Sequence, residues 1–474
     1  MNNMRSITTI GNWLGLVAGV CSLALPALAA PDFENNLEKT YSVSPGGKFV
    51  LQADRGSCEI SPIDGNDVRI RVLRGVNGGT KAEADALFAN HEVTFQQADG
   101  VVSVLAKNKK DSSWSWRPNR PSLQVRYEIS VPRKFNVDLK TAGGDVRVGD
   151  LDGDVKARTS SGSIHLARTA GKVEAGDAGG DIVVEEAGGD LSARTSSGAI
   201  RVRKAGGSVE ATDAGGDIQI GEAGQSVTAG TSSGSIELKS VKGDVEARDA
   251  GGDITIGAVD GAIKAQTSSG AIKIKAAKGD VVARDSGGDV RIGTAGSVEA
   301  QTSSGSIEIG AASGRVEAKD AGGNISIEAV GGPVLAQTSS GDVRITSAKG
   351  KVEARDAGGN IAVKSAYGAV HANTSSGAIT VGFLAQPAEE SRLEVAGGDV
   401  TVSLTKSAAV DVDARSNGGN FSSELPVTIE TKNGQPRGAV QGKINGGGPL
   451  LLLRSSSGDI RLKSSDALMS KAEK

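Results

Sequence analysis

Carboxylates recur at fixed spacing along this chain, and their most demanding use would be to hold a metal. The phrase Ala-Gly-Gly-Asp/Asn stands at 142–145, 178–181, 214–217, 250–253, 321–324 and 357–360. A calcium site built from nonapeptide repeats needs Gly-Gly-x-Gly-x-Asp, so that carbonyls and a carboxylate converge on the ion. Here Ile182, Ile218 and Ile254 follow Gly-Gly-Asp directly. The glycines therefore read as turn formers and the aspartates as caps on backbone donors. His91, His165 and His371 lie too far apart in sequence to make a metal set.

Glycan hydrolysis or lysis would require a local cluster of titratable groups on one outer face. Glu174, Glu210, Glu246, Glu317 and Glu353 instead recur at about 36-residue steps or twice that, with Arg248, Lys319 and Arg355 two residues after three of them and Arg284 at the same place after Val282. That regular mixture reads as a solvated face. No catalytic residue, cofactor-binding residue or metal ligand is assigned. One concentration stands outside the pattern: Trp114-Ser115-Trp116-Arg117-Pro118-Asn119-Arg120-Pro121, after Lys109-Lys110. Trp114, Trp116, Arg117 and Arg120 are the candidate partner-binding residues, because aromatic and arginine side chains dominate contact surfaces. The competing reading folds the two indoles back over a local core.

The composition narrows what must position these groups. Among 474 residues, 53 Lys plus Arg against 56 Asp plus Glu give a net charge of −3, which offers no field for nucleic acid. Gly reaches 67, yet 38% hydrophobic content is too apolar for a disordered chain. Residues 1–29 have the form of a secretory leader: Arg5, an apolar stretch Trp13–Leu25, and Ala27-Leu28-Ala29 at the cleavage positions. Cys21, preceded by Val20, departs from a lipoprotein signal, so the reading is export to the periplasm or cell surface without lipidation. Only Cys58 then remains in the mature chain, and it has no intramolecular disulfide partner. No later stretch is long and apolar enough for a transmembrane helix.

A second phrase, Thr-Ser-Ser-Gly, alternates with the first at 159–162, 195–198, 231–234, 267–270, 302–305, 338–341 and 374–377. The glycines from Gly144 to Gly377 step by 18 residues, except for 17 between Gly288 and Gly305, where the turn Gly293–Gly296 absorbs a deletion. Each unit holds two period-2 segments, such as Ile254-x-Ile256 and Ile263-x-Ala265, which is the signature of two half-buried strands. An alanine closes the second segment in every unit from Ala157 to Ala372. A thin core that leaves room for one methyl group accounts for it. The pattern therefore predicts an all-β fold, a parallel β-solenoid of about 18 residues per coil. Four inward side chains per coil are expected, with Ile254, Ile256, Ile263 and Ala265 inside and Thr255 and Lys264 outside.

Full identity repeats every 36 residues, so a larger coil is the alternative. Two residues after each alanine, Thr and Asp alternate as Thr195, Asp213, Thr231, Asp249, Thr267 and Asp285. A 36-residue coil would stack the aspartates about 4.8 Å apart, whereas 18 residues separate them to about 9.6 Å. In that geometry each Asp is expected to accept a hydroxyl hydrogen bond from its threonine neighbours.

The organisation expected is a leader at 1–29, a β-rich N-terminal cap at 30–136, the regular solenoid at 137–382, an irregular C-terminal solenoid and cap at 383–463, and a polar, disordered tail at 464–474. Strands are predicted at Lys48–Ala53, Val68–Leu73, Glu92–Gln97, Val101–Lys107 and Leu123–Val131, with a short helix at Lys81–Phe88. With both ends capped the chain would stand as a monomer.

The phrase Val125-Arg126-Tyr127-Glu128-Ile129-Ser130-Val131-Pro132, then Val137–Thr141 and the serial Ser-Ser-Gly-x-Ile units ending at Ile460, resembles the bacterial putative-adhesin β-strand-repeat family. The resemblance covers most of residues 40–463. It implies an exported solenoid domain and supplies no catalytic residues to carry over. Together these readings favour a non-enzymatic adhesin or structural module of the bacterial envelope, with an envelope protein or surface glycan as partner. A scaffold or signalling accessory holding a partner protein is the alternative. A carbohydrate-active β-helix enzyme would need an off-pattern polar cluster that the sequence does not present.

Overall fold

The computed structural model describes residues 31–109, 121–429 and 438–465. Residues 1–29, read above as a leader, and most of the tail lie outside them.

From Val146 to Val381 the chain winds as a parallel β-solenoid with about 18 residues per coil, and the whole rod has about 15 turns. Between Val155 and Ala366 each coil contributes a six-residue strand to one wall and a four-residue strand to the other, as in Ile254–Val259 and Ile263–Gln266. Pairing is parallel and in register by residue type. Ile254 lies between Ile236 and Ile272, and Ala265 between Ala247 and Ala283. The shorter coil keeps its register because the turn after Ala295 is one residue tighter, with the Gly296 N–H donating to the Gly279 carbonyl at 2.9 Å.

Facing follows the sequence pattern. Ile254, Ile256, Ile263 and Ala265 are at most 2% exposed, and Thr255 and Lys264 face solvent. The structure adds a fifth inward position that the alternation does not display: Val259, in a column with Ala223, Val241, Ala277, Ala295 and Ala312. The long strand pairs at Ile254, Thr255, Ile256, Ala258 and Val259 but skips Gly257 and its neighbour Lys275. A residue left out of the ladder shifts the side-chain phase by one, as in a β-bulge, so the third inward residue comes three positions after the second. In the same column, nearer the N-terminal end, Thr169 is 1% exposed and its hydroxyl has no partner.

The corner turns join one coil to the next. The Asp213 carboxylate accepts the N–H groups of Ala214, Gly215 and Gly216 in its own turn, at 2.6, 3.2 and 2.6 Å. The Thr231 hydroxyl donates down the stack to the Gly216 carbonyl at 3.0 Å. The expected threonine-to-aspartate bond is therefore not the one made. The carboxylate is already engaged by three local donors, and the turn's glycine carbonyl takes the hydroxyl. The aspartate that follows Gly-Gly acts between coils: Asp217 accepts the Ser235 N–H at 2.8 Å and Asp253 the Ala271 N–H at 2.8 Å. Glycine is required where these turns stack, because a Cβ on Gly270 would collide with the Gly252 carbonyl.

Both ends depart from sequential winding. At the N-terminal end, Lys48–Ala53 is sandwiched between Val101–Asn108 and Asn136–Thr141, and Ser57–Ile63 between Ser122–Pro132 and Val146–Val148. The strand Ser57–Ile63, which carries Cys58, is an addition to those expected from the sequence. Asp67–Asn77 and His91–Ala98 close over this end as antiparallel strands. Helix Lys81–Asn90 starts on a Thr80/Glu83 capping box and runs two residues beyond the expected end. At the other end, Leu450–Ser455 lies between Ser391–Val395 and Val410–Ser416, and Ile460–Ser464 between Val400–Leu404 and Phe421–Ser423. The last described coil thus fills the layer between two earlier ones. A single apolar core runs from Phe49 to Leu462.

Since Ala265 lies between Ala247 and Ala283 in the buried alanine column, Ala265→Leu should destabilise the protein by about 1–3 kcal/mol, while Lys264→Leu on the outer face should change little. Denaturant melts of the two variants check this; equal midpoints would show that the alanine column is not sterically limited.

Candidate functional site

Three places could carry function: the corner carboxylates, the outer faces of the rod, and the N-terminal end. The carboxylates of the corners and those that follow Gly-Gly are both committed to backbone donors. Asp181, Asp217, Asp289 and Asp342 are held below the ordinary carboxylate range, first by the N–H of the coil above and then, against the opposing cost of burial, by hydroxyl, amide or arginine partners. A group held ionised in this way is the reverse of a general acid. Asn324 and Asn360 take the same place, accepting the Asp342 and Ala378 N–H groups at 2.8 and 2.9 Å. An amide that substitutes so directly means that the position needs an acceptor, not a charge. Among the described residues no three His, Cys, Asp or Glu side chains gather as a metal set.

On the short-strand face the recurrent glutamates are paired. Glu174 meets Lys156 at 2.8 Å and also Arg158; Glu210 meets Arg194 at 2.5 Å; Glu317 meets Arg315 and Lys319, both at 2.6 Å; Glu353 meets Arg355. Such exposed pairs are worth at most about 1 kcal/mol each. Their effect is to cancel the local field. Near the N-terminal end this face is hollowed into a shallow trough lined by Lys48, Asp138, Lys172, Asp190, Ser208 and Thr228, among others. Its ion pairs and hydroxyls offer hydrogen bonds along the rod axis to an extended polar molecule.

The N-terminal end buries titratable groups. Arg74 is 6% exposed, and its guanidinium donates to the carbonyls of Asn35, Phe88 and His91 at 2.9, 3.2 and 3.1 Å. Acceptors at the C-terminal end of helix Lys81–Asn90 suit a buried cation. The sequence carries a signal for it: the inward alternation Val68, Ile70, Val72 continues through Arg74 to Val76. Burial pushes the Cys58 thiol up, with Glu59 adding to the shift, which leaves it a poor nucleophile. Burial lowers the His91 pKa against the opposing pull of Asp54, and neither ring nitrogen has a partner. His165 is exposed on the long-strand wall, and the His371 ring lies 3.2 Å from the Glu390 carbonyl. The structure brings none of the three histidines together. Trp114, Trp116, Arg117 and Arg120 lie outside the described residues.

No helix among the described residues is long and apolar enough to cross a membrane. No curated protein matches the chain. Solved structures similar to it include a putative cell adhesion protein from Clostridium sporogenes, 10% identical, with 91% of this chain and 100% of that one covered and a TM-score of 0.15. A putative adhesin from Bacteroides fragilis is 14% identical over 66% of this chain and 97% of that one, with a TM-score of 0.21. A putative lipid binding protein from Parabacteroides distasonis is 13% identical over 90% and 96%, with a TM-score of 0.17. The model of the Toastrack DUF4097 family matches residues 293–463. That match begins at the shortened turn, and the coils on its N-terminal side continue the same register. Over residues 293–463 the chain is therefore similar to the Toastrack DUF4097 family, in keeping with the β-repeat resemblance read from its Ser-Ser-Gly-x-Ile units.

Proposed function

We propose that this protein is exported through its N-terminal leader and acts without catalysis, as an adhesive or structural interaction module of the bacterial envelope. The observation that carries the reading is the commitment of the array's charged groups. Coil after coil, carboxylates are spent on backbone N–H groups or on neighbouring Lys and Arg, as at Asp217, Asp253, Glu174 and Glu317. Catalysis depends on titratable groups whose acidity is matched to proton transfer and which converge on one reacting atom. The perturbed carboxylates of the array are shifted downward instead, one coil at a time. What the rod offers is length, a rigid repeating surface and a polar trough, properties suited to contact with a surface glycan or an envelope protein.

The Trp114–Pro121 segment favours a protein partner, since two indoles and two guanidinium groups concentrate there in a chain otherwise poor in aromatic residues. Beside adhesion, the scaffold reading rests on that segment.

Calcium should be irrelevant to stability: chelator should leave the melting temperature of the mature chain unchanged, and a fall restored by added calcium would return the corner carboxylates to the role of ligands. Capture of a partner from envelope fractions should weaken when Trp114 and Trp116 are both changed to Ala, with the circular dichroism of the rod unaltered. Full capture by that variant would remove the tryptophan segment from the account, and cleavage of polysaccharide by the purified chain would remove the non-catalytic reading.

A further inference from the structure

The geometry points to the C-terminal coil, residues 450–465, as an exchangeable arm that a second copy of this chain can donate, giving a swapped dimer. In the regular array each coil rests on its predecessor in sequence and carries its successor. The coil Leu450–Ser464 is placed differently. It occupies a layer between Ser391–Leu404 and Val410–Ser423, both of which precede it in sequence. The glycine column records the same order: Gly458 stacks on Gly398, and Gly419 stacks on Gly458. Residues 445–449 connect the arm to the strand that precedes it.

That tether has the character of a hinge. Strand Ala439–Ile444 runs antiparallel along one side of Val410–Ser416, and Leu450–Ser455 runs parallel along the other. Five residues therefore carry the chain past the intervening strand, over two interstrand spacings or about 9.6 Å. Asn445, Gly446 and Gly447 have φ of 49, 87 and 90°, and Asn445 is one of only two non-glycine residues with positive φ among those described. The Asn445 side chain holds the hinge closed by donating to the Lys406 and Ala408 carbonyls at 2.8 Å each, whereas a Cβ on Gly446 would meet nothing within 4 Å. The layer the arm leaves would expose parallel ladders on both sides, a template for a strand of the same sequence. A swapped dimer remakes every contact of the arm, so the balance between monomer and dimer is set at the hinge and by protein concentration.

The register partners Arg392 and Leu452, both outside the core on the short-strand face, provide the probe. Arg392→Cys and Leu452→Cys are introduced together into the mature full chain in a Cys58→Ala background. The protein is refolded at high and low concentration, oxidised and run on non-reducing gels beside light scattering. A closed chain gives an internal link in a monomer; a swapped pair gives a covalent dimer. We expect a dimer fraction that grows with refolding concentration. Deleting Gly446 and Gly447 cuts the reach of the hinge to about 13 Å at full extension, with little slack to round the strand end, and should make dimer the main species. Inserting Gly-Ser-Gly after Gly447 should suppress it. The insertion carries the test if the deletion variant fails to fold. Monomer alone from the unmodified hinge at every concentration, or a dimer fraction that the insertion does not reduce, would overturn the assignment.

Discussion

Every feature of this rod answers to one constraint: a parallel coil of 18 residues stacks each position on its own counterpart about 4.8 Å away. Columns of like residues follow, and a column magnifies whatever its residue does. Isoleucine on isoleucine makes a continuous seam, as at Ile236, Ile254 and Ile272. A carboxylate on a carboxylate would make a repulsive ladder. The corner column avoids this by alternating Asp and Thr, whose roles in the structure differ. Aspartate closes its own turn, and threonine bonds to the turn beneath. The column after Gly-Gly does tolerate acidic or amide residues above one another, as at Asp342 and Asn360, because each accepts a hydrogen bond from the next coil.

The same constraint explains why the ends are irregular. A solenoid that simply stopped would present two open parallel edges. Here the end layers are filled out of sequence order, at Lys48–Ile63 and at Leu450–Ser464, and antiparallel strands lie beyond them. The interleaving ties segments distant in sequence to each end, a stronger closure than a flap laid over the last coil.

Much of this is legible in the residues, and what is not has physical reasons. Period-2 alternation with glycine punctuation marks the strands and their facing, and the Asp/Thr column marks the coil length. The fifth inward column is hidden because the skipped residue at Gly257 breaks the period, so Val259 falls out of phase with Ile254 and Ile256. The threonine partner differs from expectation because a sequence displays side chains and hides the turn carbonyls that compete for the hydroxyl. The position of Gly458 between Gly398 and Gly419 is unreadable from spacing, which reports order along the chain and not order in the stack. Of the candidate site, the solvated charge ladder is visible in the repeat. The buried Arg74 is harder to see although the alternation runs through it, because a charge at an inward position needs acceptors that only the fold supplies.

The central claim, that axial stacking of like charge dictates the corner sequence, is tested most directly by Thr231→Asp, which would place carboxylates in three successive layers with Asp213 and Asp249. Like charges about 4.8 Å apart should cost on the order of 2 kcal/mol, and they raise the folded-state pKa of the new group. The penalty is therefore full above that raised pKa and disappears as pH falls below the unfolded value near about 4, where the protonated acid can again donate to the Gly216 carbonyl. The measurement is the difference in unfolding free energy between variant and parent from pH 7 to pH 3. The account predicts a marked loss at pH 7 that closes toward pH 3; equal stability at pH 7, or a loss independent of pH, would contradict it.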